Sequence, residues 1–96
     1  MKENISKLYF ETSNDFRTWL SNNAETSDGI WLVFGKVKKV ITLTANDALE
    51  EALCFGWIDG QMKSIDSTRY LKYTFYGVYA AHIFGLYFHY GNTFVS

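Results

Sequence analysis

Residues 44–66, TANDALEEALCFGWIDGQMKSID, decide how this chain folds. Thr44 is an N-cap residue, since its hydroxyl can accept a bond from the first orphan amides of a helix. Asp47, three residues on, gives a capping-box-like spacing and places a negative charge where the helix dipole favours it. Ala45, Ala48, Leu49 and Ala52 then recur at helical spacing and predict a buried stripe. Asp47, Glu50, Glu51 and Cys54 fall on the opposite stripe, expected to face solvent. Gly56 fits the left-handed position that stops a helix. From Trp57 the period changes from helical to two, which predicts a strand.

That strand needs a partner, and residues 70–76, YLKYTFY, supply it. With 66–69 as the loop, Ile65 is expected opposite Tyr70, Lys63 opposite Lys72, and Gln61 opposite Thr74. One face then collects Ile58, Gly60, Met62, Leu71, Tyr73 and Phe75. The other collects Trp57, Asp59, Gln61, Lys63, Tyr70, Lys72 and Thr74, and is read as the outward face. A slip of one residue would exchange the faces, so burial sets this register. Upstream, Ser13 is expected to cap a first helix, with Asp15 in its first turn and Phe16, Trp19 and Leu20 on one side. Asn22-Asn23 should end it. Asp28-Gly29 marks a turn. Ile30 to Phe34 is a continuous apolar run, the pattern of a strand buried on both sides. The reading is one α+β domain over residues 1–96, with two helices packed on one face of a small, mostly antiparallel sheet.

At 96 residues the core must be thin. An aromatic content of 19% offsets this with large buried areas per side chain. A net charge of −1 gives no global argument for nucleic acid or membrane surfaces. Cys54 is the one cysteine, which excludes an internal disulfide and a cysteine zinc site. The N-terminal residues lack the apolar core of a signal peptide, so the reading is cytoplasmic. No Lys, Arg, Asp or Glu follows Lys72. Residues 76–96 are aromatic and uncharged, but they carry His82, His89, Asn92 and three glycines, a poor membrane span. They are expected to add strands or form an interface, including a homodimer contact.

The motif ALEEALCFGWIDGQMKSID, with FRTWL and WLVFGK before it and Tyr70 to Phe75 after it, resembles the YdeI/OmpD-associated family, also described as bacteriocin-protection proteins. The resemblance runs from about Phe16 to Phe75. The family's basic stretch has no counterpart here, where Thr74-Phe75-Tyr76-Gly77 stands in its place, and residues 76–96 fall outside the likeness. What the resemblance implies is a stress- or bacteriocin-protection role without an assigned reaction.

Among candidate site residues, Trp57, Asp59, Lys63, Tyr70 and Lys72 stand out, because aromatics flanking cations can hold a planar or anionic ligand. The plainer reading is a sheet face covered by a helix, with lysines reaching out past it. Cys54 sits near a helix C-terminus among carboxylates, which disfavours a thiolate, so it reads as inert. Asp59-Gly60 reads as a local bend or bulge and Asp66 as a loop acceptor for the amides of Ser67 and Thr68, rather than as paired acids. Glu50 and Glu51 have no histidine at ligand spacing, so no metal and no cofactor is expected. Lys36, Lys38 and Lys39 read as a solvated loop, too few to imply DNA binding. The leading expectation is a non-enzymatic binding module for a small anionic ligand or a protein. One alternative is a small enzyme with Asp59 as acid or base and Lys63 or Lys72 steadying an anionic substrate. Another is a structural domain that homodimerises through its tail.

Overall fold

The computed structural model describes residues 6–77. Six elements follow in order: β1 (Lys7–Leu8), α1 (Ser13–Asn23), β2 (Gly29–Gly35), α2 (Ala45–Cys54), β3 (Trp57–Ser64) and β4 (Arg69–Tyr76). The strands form one sheet in the order β1-β2-β4-β3. β1 is parallel to β2, and the other two pairings are antiparallel. This is the expected α+β architecture with a mostly antiparallel sheet.

Both helices start on threonine caps. Thr44 accepts from the Asp47 amide at 3.1 Å, as its spacing predicts. The cap of α1 is Thr12 rather than Ser13: its backbone is extended and its Oγ1 accepts from the Asp15 amide at 3.1 Å. Both residues are good caps, and the one three positions before Asp15 takes the role, leaving Ser13 inside the first turn. α2 stops where expected. Phe55 and Gly56 donate their amides to Ala52 and Leu53 carbonyls, and Gly56 adopts φ of 78°, a conformation that a side chain disfavours.

The core lies on one side of the sheet. Phe16 and Leu20 of α1, Ala48 and Ala52 of α2, Leu43, Ile30, Leu32 and Phe34 of β2 and Trp57 of β3 form one cluster. Phe16, Leu20, Ala52 and Trp57 are wholly inaccessible. Trp19 meets Trp57 edge-on at 5.8 Å between ring centres, so the first helix is anchored on the first residue of the third strand. Arg17 and Glu51 add a two-pronged ion pair between the helices, at 2.8 and 2.7 Å. Glu51 therefore faces α1 and not open solvent as expected. Its carboxylate lies close enough to α1 for a guanidinium fork to take both oxygens.

The hairpin register differs from the expected one. Ser64, not Ile65, stands opposite Tyr70; Lys63 is opposite Leu71 and Met62 opposite Lys72. Asp59 is opposite Thr74, so Gly60 and Gln61 together face Tyr73 alone. This is the bulge expected at Asp59-Gly60, and it exchanges the faces of all that follows on β3. Gly60 suits the place because a Cβ there would lie 2.9 Å from the Phe75 ring. The faces are also reversed in role. The helices pack on the side bearing Trp57, Asp59, Tyr70, Lys72 and Thr74, not on the apolar set of Ile58, Leu71, Tyr73 and Phe75. The strand β2 decides this: Ile30, Leu32 and Phe34 stand on the first side, and their cross-strand partners are Thr74, Lys72 and Tyr70. No described helix is long and apolar enough to cross a membrane.

Candidate functional site

The five residues singled out in the sequence are not brought together. Trp57 is fully buried between the helices, and its Nε1 has no hydrogen-bond partner among the described residues. It is a core residue and cannot stack on a ligand. Tyr70 is half-buried and stacks on Phe34 at 5.4 Å. Asp59 and Lys72 meet across β3 and β4, with Lys72 Nζ donating to Asp59 Oδ2 at 2.9 Å. Their side chains retain 24% and 26% exposure. They lie in a crease too narrow to seat a water molecule, lined by Phe34, Ala45, Ala48, Leu49 and Thr74. The pair thus neutralises itself beneath α2, where each unpaired charge would be costly.

Lys63 lies on the other side of the sheet. The bulge turns it over Trp31, with Nζ 5.5 Å from the ring centre, a cation–π distance. An acid–base site combining Asp59 with Lys63 is therefore divided by the sheet itself. The aromatic partner of Lys63 is Trp31, which the sequence reading placed only in a buried strand. Carrying the bulge at Asp59-Gly60 into the register reveals it, because one inserted residue moves Lys63 across.

The structure assembles a different group. Lys36 follows β2, and its amide donates to the Thr68 carbonyl at 2.7 Å in the β3–β4 loop. Lys36 Nζ donates to Ser64 Oγ at 2.8 Å and to the Asp66 carbonyl at 2.7 Å. Gly35 pairs with Arg69, and Lys38 and Lys39 stand exposed in the turn that follows. Lys36, Lys38, Lys39, Lys63 and Arg69 therefore come from three segments to one end of the sheet. Asp66 is the sole acid within residues 35–44 and 60–71. Its Oδ1 accepts from the Thr68 amide and hydroxyl, both at 2.8 Å, and from the Arg69 amide at 3.0 Å; Oδ2 accepts from the Arg69 guanidinium at 3.2 Å. Asp66 is thus the loop acceptor expected, serving Thr68 and Arg69 instead of Ser67 and Thr68. Those bonds, the Thr68 ones foremost, hold its carboxyl far below the usual carboxylate range. Asp59 lies near the start of β3 and Asp66 in the loop beyond its other end, so the two do not pair.

Read singly in sequence, the three lysines were a solvated loop; only the pairing of β2 with β4 joins them to Arg69 and Lys63. Val37, Met62 and Ile65 remain exposed among them. The Cys54 thiol is pushed up by burial and then by the Glu51 charge, which fits an inert residue. No group of acids, histidines and cysteines suited to a metal occurs among the described residues. His82 and His89 lie outside them.

Fold and surface together define a small α+β domain with a cationic sheet end. The chain belongs to the family described as a domain of unknown function, DUF8412, whose model matches residues 8–76. No curated protein and no solved structure matches it.

Proposed function

We propose that this protein is a cytoplasmic, non-enzymatic module that binds a small anionic ligand through the cationic end of its sheet, in the stress- or bacteriocin-protection role that the YdeI/OmpD resemblance implies. The observation that carries this reading is the meeting of Lys36 and Arg69 at the β3–β4 loop, where Asp66 is already bonded to Thr68 and Arg69, with Lys38 and Lys39 exposed in the adjoining turn. Cations gathered on one rim favour anions by charge-assisted hydrogen bonds, and the planar fork of Arg69 suits a bidentate anion. The enzyme alternative finds less support. Asp59 is occupied by Lys72 beneath α2, and Lys63 lies across the sheet.

The test is a proton–nitrogen NMR titration of the full chain with nucleotides, inorganic polyphosphate and divalent metals, at low and at raised salt. Shifts are expected at amides of residues 36–39, 63 and 69 with the phosphorylated probes, weakening as salt screens the cations. Shifts centred on Asp59 and Lys72, or turnover lost in Asp59→Asn, would overturn the reading.

A further inference from the structure

The cationic end of the sheet also carries exposed apolar side chains. β1, β2 and β3 run out towards it, and β4 starts from it. Among the described residues, Tyr9, Val37, Ile41 and Ile65 lie there, each between 40% and 64% exposed. Hydrogen bonds place them. Tyr9 follows β1, and its hydroxyl donates to the Ile41 carbonyl at 2.6 Å. The Ile65 amide donates to the Arg69 carbonyl at 3.0 Å, beside the pairing of Arg69 with Gly35. The loop between β2 and α2 is pinned to the sheet. The Val40 amide donates to the Val37 carbonyl at 3.1 Å, the Gly35 amide donates to Thr42 Oγ1 at 3.0 Å, and a Cβ on Gly35 would strike the Val40 carbonyl. Val37, Lys38 and Lys39 therefore stand exposed on a fixed turn.

We propose that this end docks on the surface of an anionic phospholipid bilayer. Lys36, Lys38, Lys39 and Arg69 meet the phosphates, and Val37, Ile41 and Ile65 enter the boundary between headgroups and acyl chains. The proposal rests on the reading that this end binds anions, and it names where the anion is presented. Aliphatic side chains scattered singly over a surface need no explanation, but several gathered on one end mark a contact surface. A dissolved anion or a nucleic acid backbone would engage the cations and leave these side chains in water. A bilayer answers both, because binding at its interface grows with buried apolar area and with attraction to anionic lipid. The charges at this end are complementary to such a surface. Asp66 is already bonded to Thr68 and Arg69. Lys36 spends two donors on Ser64 and on the Asp66 carbonyl, which leaves its third for a phosphate. Glu11, beside the Tyr9 hydroxyl at 3.3 Å, is the acid that opposes docking, so Glu11→Gln should tighten it.

The experiment sediments the full chain with vesicles of phosphatidylcholine alone and with vesicles of equal parts phosphatidylcholine and phosphatidylglycerol. An amide spectrum of each variant checks that it folds, and inorganic polyphosphate serves as the dissolved anion. Binding is expected to the mixed vesicles and not to phosphatidylcholine. Each cation near an anionic surface is worth about fivefold in partitioning, so the double variant Lys38→Gln/Lys39→Gln should bind about 25-fold more weakly. Ile41→Ser/Ile65→Ser should bind the mixed vesicles at least about tenfold more weakly while its polyphosphate shifts stay unchanged. Failure to sediment with the mixed vesicles overturns the proposal. In that case polyphosphate shifts at the amides of residues 36–39 leave the reading of a small dissolved anion standing, and silence there removes that reading as well. Equal sedimentation with phosphatidylcholine alone, or full binding by the Ile41/Ile65 variant, overturns the proposal too, since charge and apolar contact must both contribute. Tighter binding of a single-stranded oligonucleotide than of the mixed vesicles would assign this end to nucleic acid instead.

Discussion

Replacing Asp59 and Lys72, singly and together, measures whether their ion pair is part of the fold or a pair of groups held ready for something else. At 2.9 Å, two unit charges attract by about 6 kcal/mol at an effective dielectric constant of 20. Desolvation of both ions consumes much of this, because each side chain keeps only a quarter of its exposure. Fully exposed pairs are worth roughly 0.2–1 kcal/mol, and breaking a fully buried pair costs roughly 3–5 kcal/mol. The pair lies between these limits, and Lys72 can swing its ammonium outward when Asp59 is lost. Asp59→Asn and Lys72→Met should each cost about 1–2 kcal/mol, with a coupling energy of about 1 kcal/mol in the double variant. For a domain this small, the urea midpoint then falls by roughly 0.5–1 M per single variant. Urea unfolding at neutral pH followed by tryptophan emission reads all four corners of the cycle. A coupling below about 0.3 kcal/mol, within the error of simple additivity, would refute the reasoning, because the two charges would then not stabilise each other in the fold.

Three further outcomes follow from the same geometry. Thr12→Ala and Thr44→Ala should each lower stability by about 1 kcal/mol in urea unfolding while Ser13→Ala changes it little, and the reverse order at the first helix would return the cap to Ser13. Gly56→Ala should cost about 1–2 kcal/mol, because φ of 78° places a Cβ against the following carbonyl; a neutral result in thermal melts would contradict that conformation. Asp66 has a depressed folded-state pKa, so its contribution is fully present above the ordinary carboxylate range and is lost as pH falls through that depressed value. The stability difference between the native chain and Asp66→Ala should accordingly be flat above about pH 5 and shrink below about pH 4. A difference that grows on acidification would contradict the sign.

Much of the local structure is legible in the sequence, because local rules govern it. The cap at Thr44, the stop at Gly56, the ends of α1 near Asn23 and the continuous apolar strand Ile30 to Phe34 all follow from neighbouring residues. What is not legible depends on partners far along the chain. The bulge adds one residue to β3; Asp59-Gly60 marks its place in the sequence, but the hairpin register expected from the loop leaves it out. Reading the hairpin without it sends Lys63 to the wrong side. Which side the helices cover is likewise set by β2, whose Ile30, Leu32 and Phe34 fall opposite Thr74, Lys72 and Tyr70. An isolated hairpin with one apolar face invites the opposite answer. The cationic end is illegible for the same reason, since Lys36 and Arg69 are neighbours only once β2 pairs with β4. Arg17 and Glu51, from two helices, were beyond any local pattern.

The separation of Asp59–Lys72 from Lys63 rests on the register of β3 against β4, and backbone proton contacts across that pair test it most directly. Close Hα and amide contacts are predicted between Asp59 and Thr74 and between Met62 and Lys72, with Gly60 and Gln61 both near Tyr73. Contacts pairing Gln61 with Thr74 and Lys63 with Lys72 would mean an unbulged strand, would bring Lys63 back beside Asp59, and would contradict the account.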